Sequence, residues 1–144
     1  MKFYYNLKIR VYLKYRVFIF SSMFELENLS NQKYINLQTF RKNGETVNTP
    51  IWFVIFNQRI YVITHELTGK VKRIKNNNVV KIVPCSLNGR LKGGWISRRA
   101  NFSSEDETAE AIKLIHKKYG LWSRIVNIFS SKSGARIGLS IKID

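Results

Sequence analysis

The chain is poor in the residues that carry most enzyme chemistry. Its 144 residues include one Cys, two His, two Pro and nine acidic side chains. A single Cys85 forms no internal disulfide and supplies no Cys-based zinc or iron-sulfur site, and its rarity suits a reducing compartment, so the expected location is cytoplasmic. His65 and His116 have no Cys or carboxylate cluster near them in sequence, so no metal ligands are expected. GxxxxGK[ST], GxGxxG and GxSxG are all missing, which leaves P-loop hydrolysis, Rossmann dinucleotide binding and a serine nucleophile elbow without support. The acids Glu105, Asp106, Glu107 and Glu110 gather at a predicted helix start, where they complement the helix dipole. No side chain is singled out as catalytic.

What the chain has in excess is positive charge and aromatic area. Lys plus Arg number 25, the formal net charge is +16, and there are three Trp, seven Tyr and nine Phe. Five of the 25 basic residues and none of the nine acids lie in residues 1–22, which leaves +11 on the remainder. An anionic partner follows from the charge, but charge alone does not choose among nucleic acid, a lipid surface and a phosphorylated small molecule. The 44% hydrophobic content is far above that of disordered chains. One domain of this length buries a core without disulfide or metal.

Residues 1–22 read as a basic extension. From Leu7 to Ile19 apolar residues alternate with Lys8, Arg10, Lys14 and Arg16, the period of a strand. The threaded charges exclude a signal peptide and a bilayer span. The segment is either an added strand or surface anchor, or an extension upstream of a start at Met23. The second is preferred, with 23–144 as the working domain.

Beyond it a short helix is expected over Phe24–Gln32, then strands. Ile35–Arg41 alternates and meets Asn43-Gly44, a strong hairpin signal. Its partner runs from Glu45 to Phe56, with Pro50 predicting an edge, bulge or bend. Asn57-Gln58 turns into Arg59–Thr64, and Val79–Cys85, Trp95–Phe102 and Ala135–Ile143 complete six strands. Thr68–Lys75 opens as a basic helix. Ser104 to Glu107 forms a capping box for a helix ending near Tyr119, before Gly120, and a short helix is expected over Leu121–Phe129. The expected fold is mainly β, a small antiparallel six-stranded barrel with flanking helices.

The segment TGKVKRIK carries the clearest chemistry. Gly69 permits a tight turn, the amides of a helix start point outward, and Lys70 and Arg73, three apart, can converge on one anion. The alternative is a solvated basic helix. Trp52 near the Pro50 bend is a core or ligand aromatic, and Trp95, after Gly93-Gly94, covers a ligand or interface or simply packs its loop.

Taken together, LQTFRKNG (37–44), TPIWF (49–53), YVIT (61–64), GKVKRI (69–74), VPC (83–85) and KKYG (117–120) occur in the order seen in the pyridoxamine 5'-phosphate oxidase-like split β-barrel flavoproteins. The chain resembles the group of that family that uses 8-hydroxy-5-deazaflavin (coenzyme F-420) or FMN. The resemblance covers about residues 24–143. It implies a split β-barrel of the FMN-binding type, a homodimer with cofactor sites between subunits, and an oxidoreductase that moves a hydride to or from a small organic molecule. By the same resemblance Lys70 is a phosphate-binding lysine, Thr64 a phosphate-side hydroxyl and Arg73 a second cation. Thr49, Pro50, Ile51 and Trp52 flank the ring, and Trp95 reaches from the second subunit. The deazaflavin, with its acidic tail, is preferred to FMN on the charge of the chain. The alternatives are a non-catalytic flavin-nucleotide binder and a basic barrel that binds single-stranded nucleic acid; no stable nucleic-acid or membrane partner is expected.

Overall fold

The computed structural model describes residues 2–123 and 134–143. Its elements are α1 (Lys2–Ser30), β1 (Tyr34–Phe40), β2 (Thr46–Ile51), β3 (Val54–Phe56), β4 (Arg59–His65), α2 (Gly69–Asn76), β5 (Val79–Cys85), β6 (Ile96–Phe102), α3 (Glu105–Tyr119) and β7 (Arg136–Lys142). The strands form one antiparallel sheet in the order β2-β1-β5-β6-β7-β4-β3. β6 joins its two halves, pairing through Ile96–Arg99 with β5 and through Ala100–Phe102 with β7.

There are seven strands rather than six because the segment predicted as one strand, Glu45 to Phe56, breaks at Trp52-Phe53. Its first part pairs with β1 and its second with β4. One stretch of chain thus supplies both outer strands of the sheet, so the sheet curls into a barrel whose edges are bridged by covalent chain and not by a ladder. Pro50 lies in β2 opposite Asn36, on an edge strand, where its missing N–H costs no ladder bond. The break falls two residues later, and its backbone groups are satisfied elsewhere. Phe53 N donates to Tyr119 Oη (3.1 Å), and Phe53 O accepts from Lys118 Nζ (3.1 Å).

Both predicted hairpins form, but at Asn43-Gly44 the loop has three residues, closed by Arg41 N to Glu45 O at 2.8 Å, in place of the expected two-residue turn. Gly44 takes φ +88°, and Asn57 and Gln58 take φ 49° and 57°, the paired left-handed conformation of a two-residue hairpin. Alternation then sorts the side chains. Ile35, Leu37, Ile60, Val62, Val80, Ile82, Leu139 and Ile141 fill the barrel, with Phe53 and Leu29 among them. On the outer face Val54 and Tyr61 pack under Ala111 and Ile115 of α3. Burying a side chain of this size contributes about 1.5–3 kcal/mol. Ser104 and Glu107 make the reciprocal capping box, and the Tyr61 hydroxyl donates to Glu107 at 2.5 Å, pinning the first turn of α3 to β4. Gly138 of β7 makes room for that turn, since a Cβ there would lie 2.7 Å from Thr108 Oγ1.

Two expectations along the chain are corrected. The alternating segment from Leu7 to Ile19 is helical, and the helix expected over 24–32 is the end of the same α1. A lone strand here would leave a full row of amides and carbonyls unpaired, whereas a helix satisfies them internally. Period-two alternation wound at 100° per residue scatters the apolar groups around the axis, so Ile9, Leu13, Tyr15 and Val17 stay exposed. At its C-terminal end α1 docks through buried Leu29 and through a Glu25–Arg98 ion pair at 3.6 Å. Of the helix expected over 121–129, residues 121–123 are helical and the rest lie outside the described residues. No helix among the described residues is long and apolar enough to cross a membrane.

Candidate functional site

Residues of β2 and β4, which do not pair with each other, face a common cavity of about 340 Å³ that α2 and α3 also border. Thr49, Pro50, Ile51 and Trp52 line it from β2 and the break, Ile63, Thr64 and His65 from β4, and Thr68 and Lys70 from the start of α2. Ile112, Ile115 and His116 enter from α3, and Ser123 and Arg136 complete the lining. Its size is at the lower end of ligand pockets, and its mix of apolar wall and few convergent polar groups is their usual chemistry.

The polar end is wired in one direction. Thr68 Oγ1 donates to His65 O (2.9 Å), so the 3.3 Å contact between the Thr64 and Thr68 hydroxyls has Thr64 as donor. Thr64 Oγ1 in turn accepts from Lys70 Nζ at 3.1 Å. Burial and then the neighbouring Arg73 guanidinium push the Lys70 ammonium below the usual lysine range. Its hydrogen-bond partner is a neutral hydroxyl, and the ion pairs among the described residues are Arg41–Glu45 and Arg98–Glu25. Lys70 is therefore a desolvated cation with donor capacity left over and no carboxylate.

The apolar end is built on α3. Trp52 stacks on Tyr119 with ring centroids 4.5 Å apart and planes 13° apart. Tyr119 Oη accepts from Phe53 N and lies 2.7 Å from Lys33 O, to which it donates, so the indole is held where the chain leaves β2. Burial raises the Tyr119 phenol to about 12.

Six of the eight residues singled out from the sequence, Thr49, Pro50, Ile51, Trp52, Thr64 and Lys70, line this cavity. Arg73 and Trp95 do not. Arg73 Nε donates to Thr39 Oγ1 at 2.7 Å, and its guanidinium fills the space beside Gly69, where a Cβ would lie 2.8 Å from Nη1. Gly69 thus makes room for an arginine at the start of α2. Trp95 is half-buried in the loop before β6. The structure adds His65, Thr68, His116, Ser123 and Arg136. His65 and Arg136 are neighbours through the β4–β7 register, a pairing across 71 positions that carries no local signal.

No family model and no curated protein matches the chain. Solved structures do. The heme storage protein HutZ from Vibrio cholerae is 14% identical over 82% of this chain and 87% of its own, with a TM-score of 0.61. A Listeria innocua protein provisionally named a pyridoxamine 5'-phosphate oxidase is 14% identical over 83% and 90%, with a TM-score of 0.57. A protein described as an F-420 reductase is 16% identical over 81% and 90%, with a TM-score of 0.53. The chain has the split β-barrel fold of the pyridoxamine 5'-phosphate oxidase-like proteins. At these identities the likeness is one of fold, and a fold hosts many functions.

Proposed function

We propose that the chain binds a flavin-type cofactor in this cavity and works as an oxidoreductase on a small organic substrate, with the deazaflavin preferred to FMN. The observation that carries this reading is Lys70, a desolvated ammonium whose hydrogen-bond partner among the described residues is a hydroxyl, facing a cavity with an aromatic wall. A phosphate there accepts the remaining Lys70 protons, and charge-assisted bonds of this kind are about twice as strong as neutral ones. Arg136 extends the cationic end toward a longer acidic tail, which the chain's net charge of +16 also favours.

Pro50, Ile51, Trp52, Ile63, Ile112 and Ile115 form a wall suited to a planar ring. When bound, a deazaflavin supplies hydride transfer, and FMN supplies hydride or single-electron transfer. The chain's own part is to hold the phosphate at Lys70 and Thr64, press the ring against this wall and keep water from one face. The cavity of about 340 Å³ is small for the whole cofactor, and the exposed Leu121 and Trp122 adjoin the cavity residue Ser123. Both features support a homodimer in which a second copy completes the site, with Trp95 as its contribution. Cytoplasmic placement belongs to the same reading.

The test is fluorescence and absorbance titration of the purified chain with FMN and with the deazaflavin at low and moderate salt. Saturable binding that persists in salt is the expected result. Binding of neither cofactor, with steeply salt-dependent binding of single-stranded nucleic acid instead, would overturn it.

A further inference from the structure

His116 lines the cavity with its tautomer already chosen. Its Nδ1 is 2.7 Å from Ser123 Oγ, and that oxygen is 2.7 Å from Gly120 O. A carbonyl only accepts, so the Ser123 proton is committed to Gly120 and the serine oxygen receives the His116 Nδ1–H. Ser123 is 2% exposed and sits in a tight turn in which its own N–H returns to Gly120 O at 3.1 Å, so water does not compete for the contact. The neutral imidazole then carries its lone pair on Nε2, and that atom has no partner among the described residues. His65 has the same tautomer by a different route, its Nδ1 lying 3.1 Å from Gly134 O. The two differ in surroundings. His65 adjoins the Thr64, Thr68 and Lys70 cluster, whereas His116 comes off α3 one turn after Ile112, beside Ile115, on the apolar wall.

His116 places its acceptor on the apolar wall, away from the cationic end. Lys70 and Arg136 are donors suited to an anion, while an imidazole nitrogen with a fixed lone pair suits a ligand N–H. We propose that His116, held by Ser123, accepts a hydrogen bond through Nε2 from an N–H on the edge of the bound ring, and so selects heterocycles that carry such a donor. The proposal rests on the cofactor reading above. Both the flavin and the deazaflavin ring carry an imide N–H of this kind. Ser123 is a positioning residue, acting through the imidazole and not on the ligand.

The experiment uses the full chain with whichever of FMN and the deazaflavin binds, together with the N3-methyl derivative of the same cofactor. Fluorescence titration reads affinity, and imidazole ¹⁵N NMR reads the tautomer and the state of Nε2. The expected results are an Nδ1–H held by Ser123 in the free protein, an Nε2 resonance that shifts on binding, and about 10-fold weaker binding of the methylated ligand. His116→Leu should bind both ligands alike. Ser123→Ala should relax the tautomer and lose about 3-fold in affinity, with the circular dichroism spectrum unchanged. If the cofactor saturates but the methylated form binds equally well to the wild-type chain, or Nε2 does not respond, the assignment of His116 is wrong while the cofactor reading stands. If neither cofactor saturates, the cofactor reading fails and this proposal fails with it.

Discussion

Lys70 and Lys118 are two desolvated ammonium groups with opposite surroundings. Burial lowers both, Lys118 to about 8 and Lys70 with Arg73 adding to the effect. Lys118 is compensated by the fold itself, since Nζ lies 3.8 Å from the centre of the Phe53 ring and donates to Phe53 O at 3.1 Å. It closes the strand break that lets one segment serve both edges of the sheet. Lys70 has a neutral hydroxyl and a cavity. A cation removed from water needs compensation, and where the fold supplies none the gap marks a place for a ligand anion.

The comparison breaks most sharply at Lys70. Lys70→Ala should weaken cofactor binding about 10- to 150-fold, the worth of one directed charged hydrogen bond of about 1.5–3 kcal/mol, with the urea midpoint of the free chain unchanged or raised. Titration by fluorescence checks the first part and urea denaturation the second. Tyr119→Phe acts on the other region, leaving Phe53 N without its partner and Lys33 O without a donor. It should cost about 1–3 kcal/mol in urea unfolding without a change in slope.

Ser104→Ala removes the cap at the opposite end of α3 from Lys118, on a residue that does not line the cavity. About 1 kcal/mol of stability should go, while cofactor affinity stays within twofold. The smallest effect is a pH dependence. Unfolded lysine titrates at about 10.4. Between about pH 8, where folded Lys118 loses its proton, and that value, the unfolded chain holds more protons, so stability rises with pH across the window. Tyr119, raised to about 12, acts oppositely above about pH 10, where the unfolded phenol ionises first and stability falls. In Lys118→Met the rise between pH 8 and 10 should flatten, as read from urea midpoints at pH 7.5, 9 and 10. An equal slope in the variant would show that another group carries it.

Much of this arrangement was legible because local chemistry decided it. Asn57-Gln58 and the Ser104/Glu107 box need only neighbouring residues and form as read, and Asn43-Gly44 marks a hairpin whose loop also takes in Lys42. The strand break was half-visible. Pro50 announced an edge, but the rupture at Trp52-Phe53 depends on Tyr119 and Lys118, more than 60 positions away, accepting and donating at Phe53. The α1 segment misled because alternation specifies a strand only when a partner ladder exists. Lys70 and Arg73 share a helix face, yet Thr39 on β1 draws Arg73 off. His116, Ser123 and Arg136 carried no signal as cavity residues, since β7 register and the turn after α3 bring them in.

The most direct measurement is a pair of titrations, Lys70→Met and Lys118→Met against wild type, with the same cofactor at the same moderate salt. Loss of at least about 10-fold in Lys70→Met, with Lys118→Met within about twofold of wild type, is the expected result. Equal losses in the two, or a larger loss at Lys118, would contradict the assignment of Lys70 as the anion-binding group.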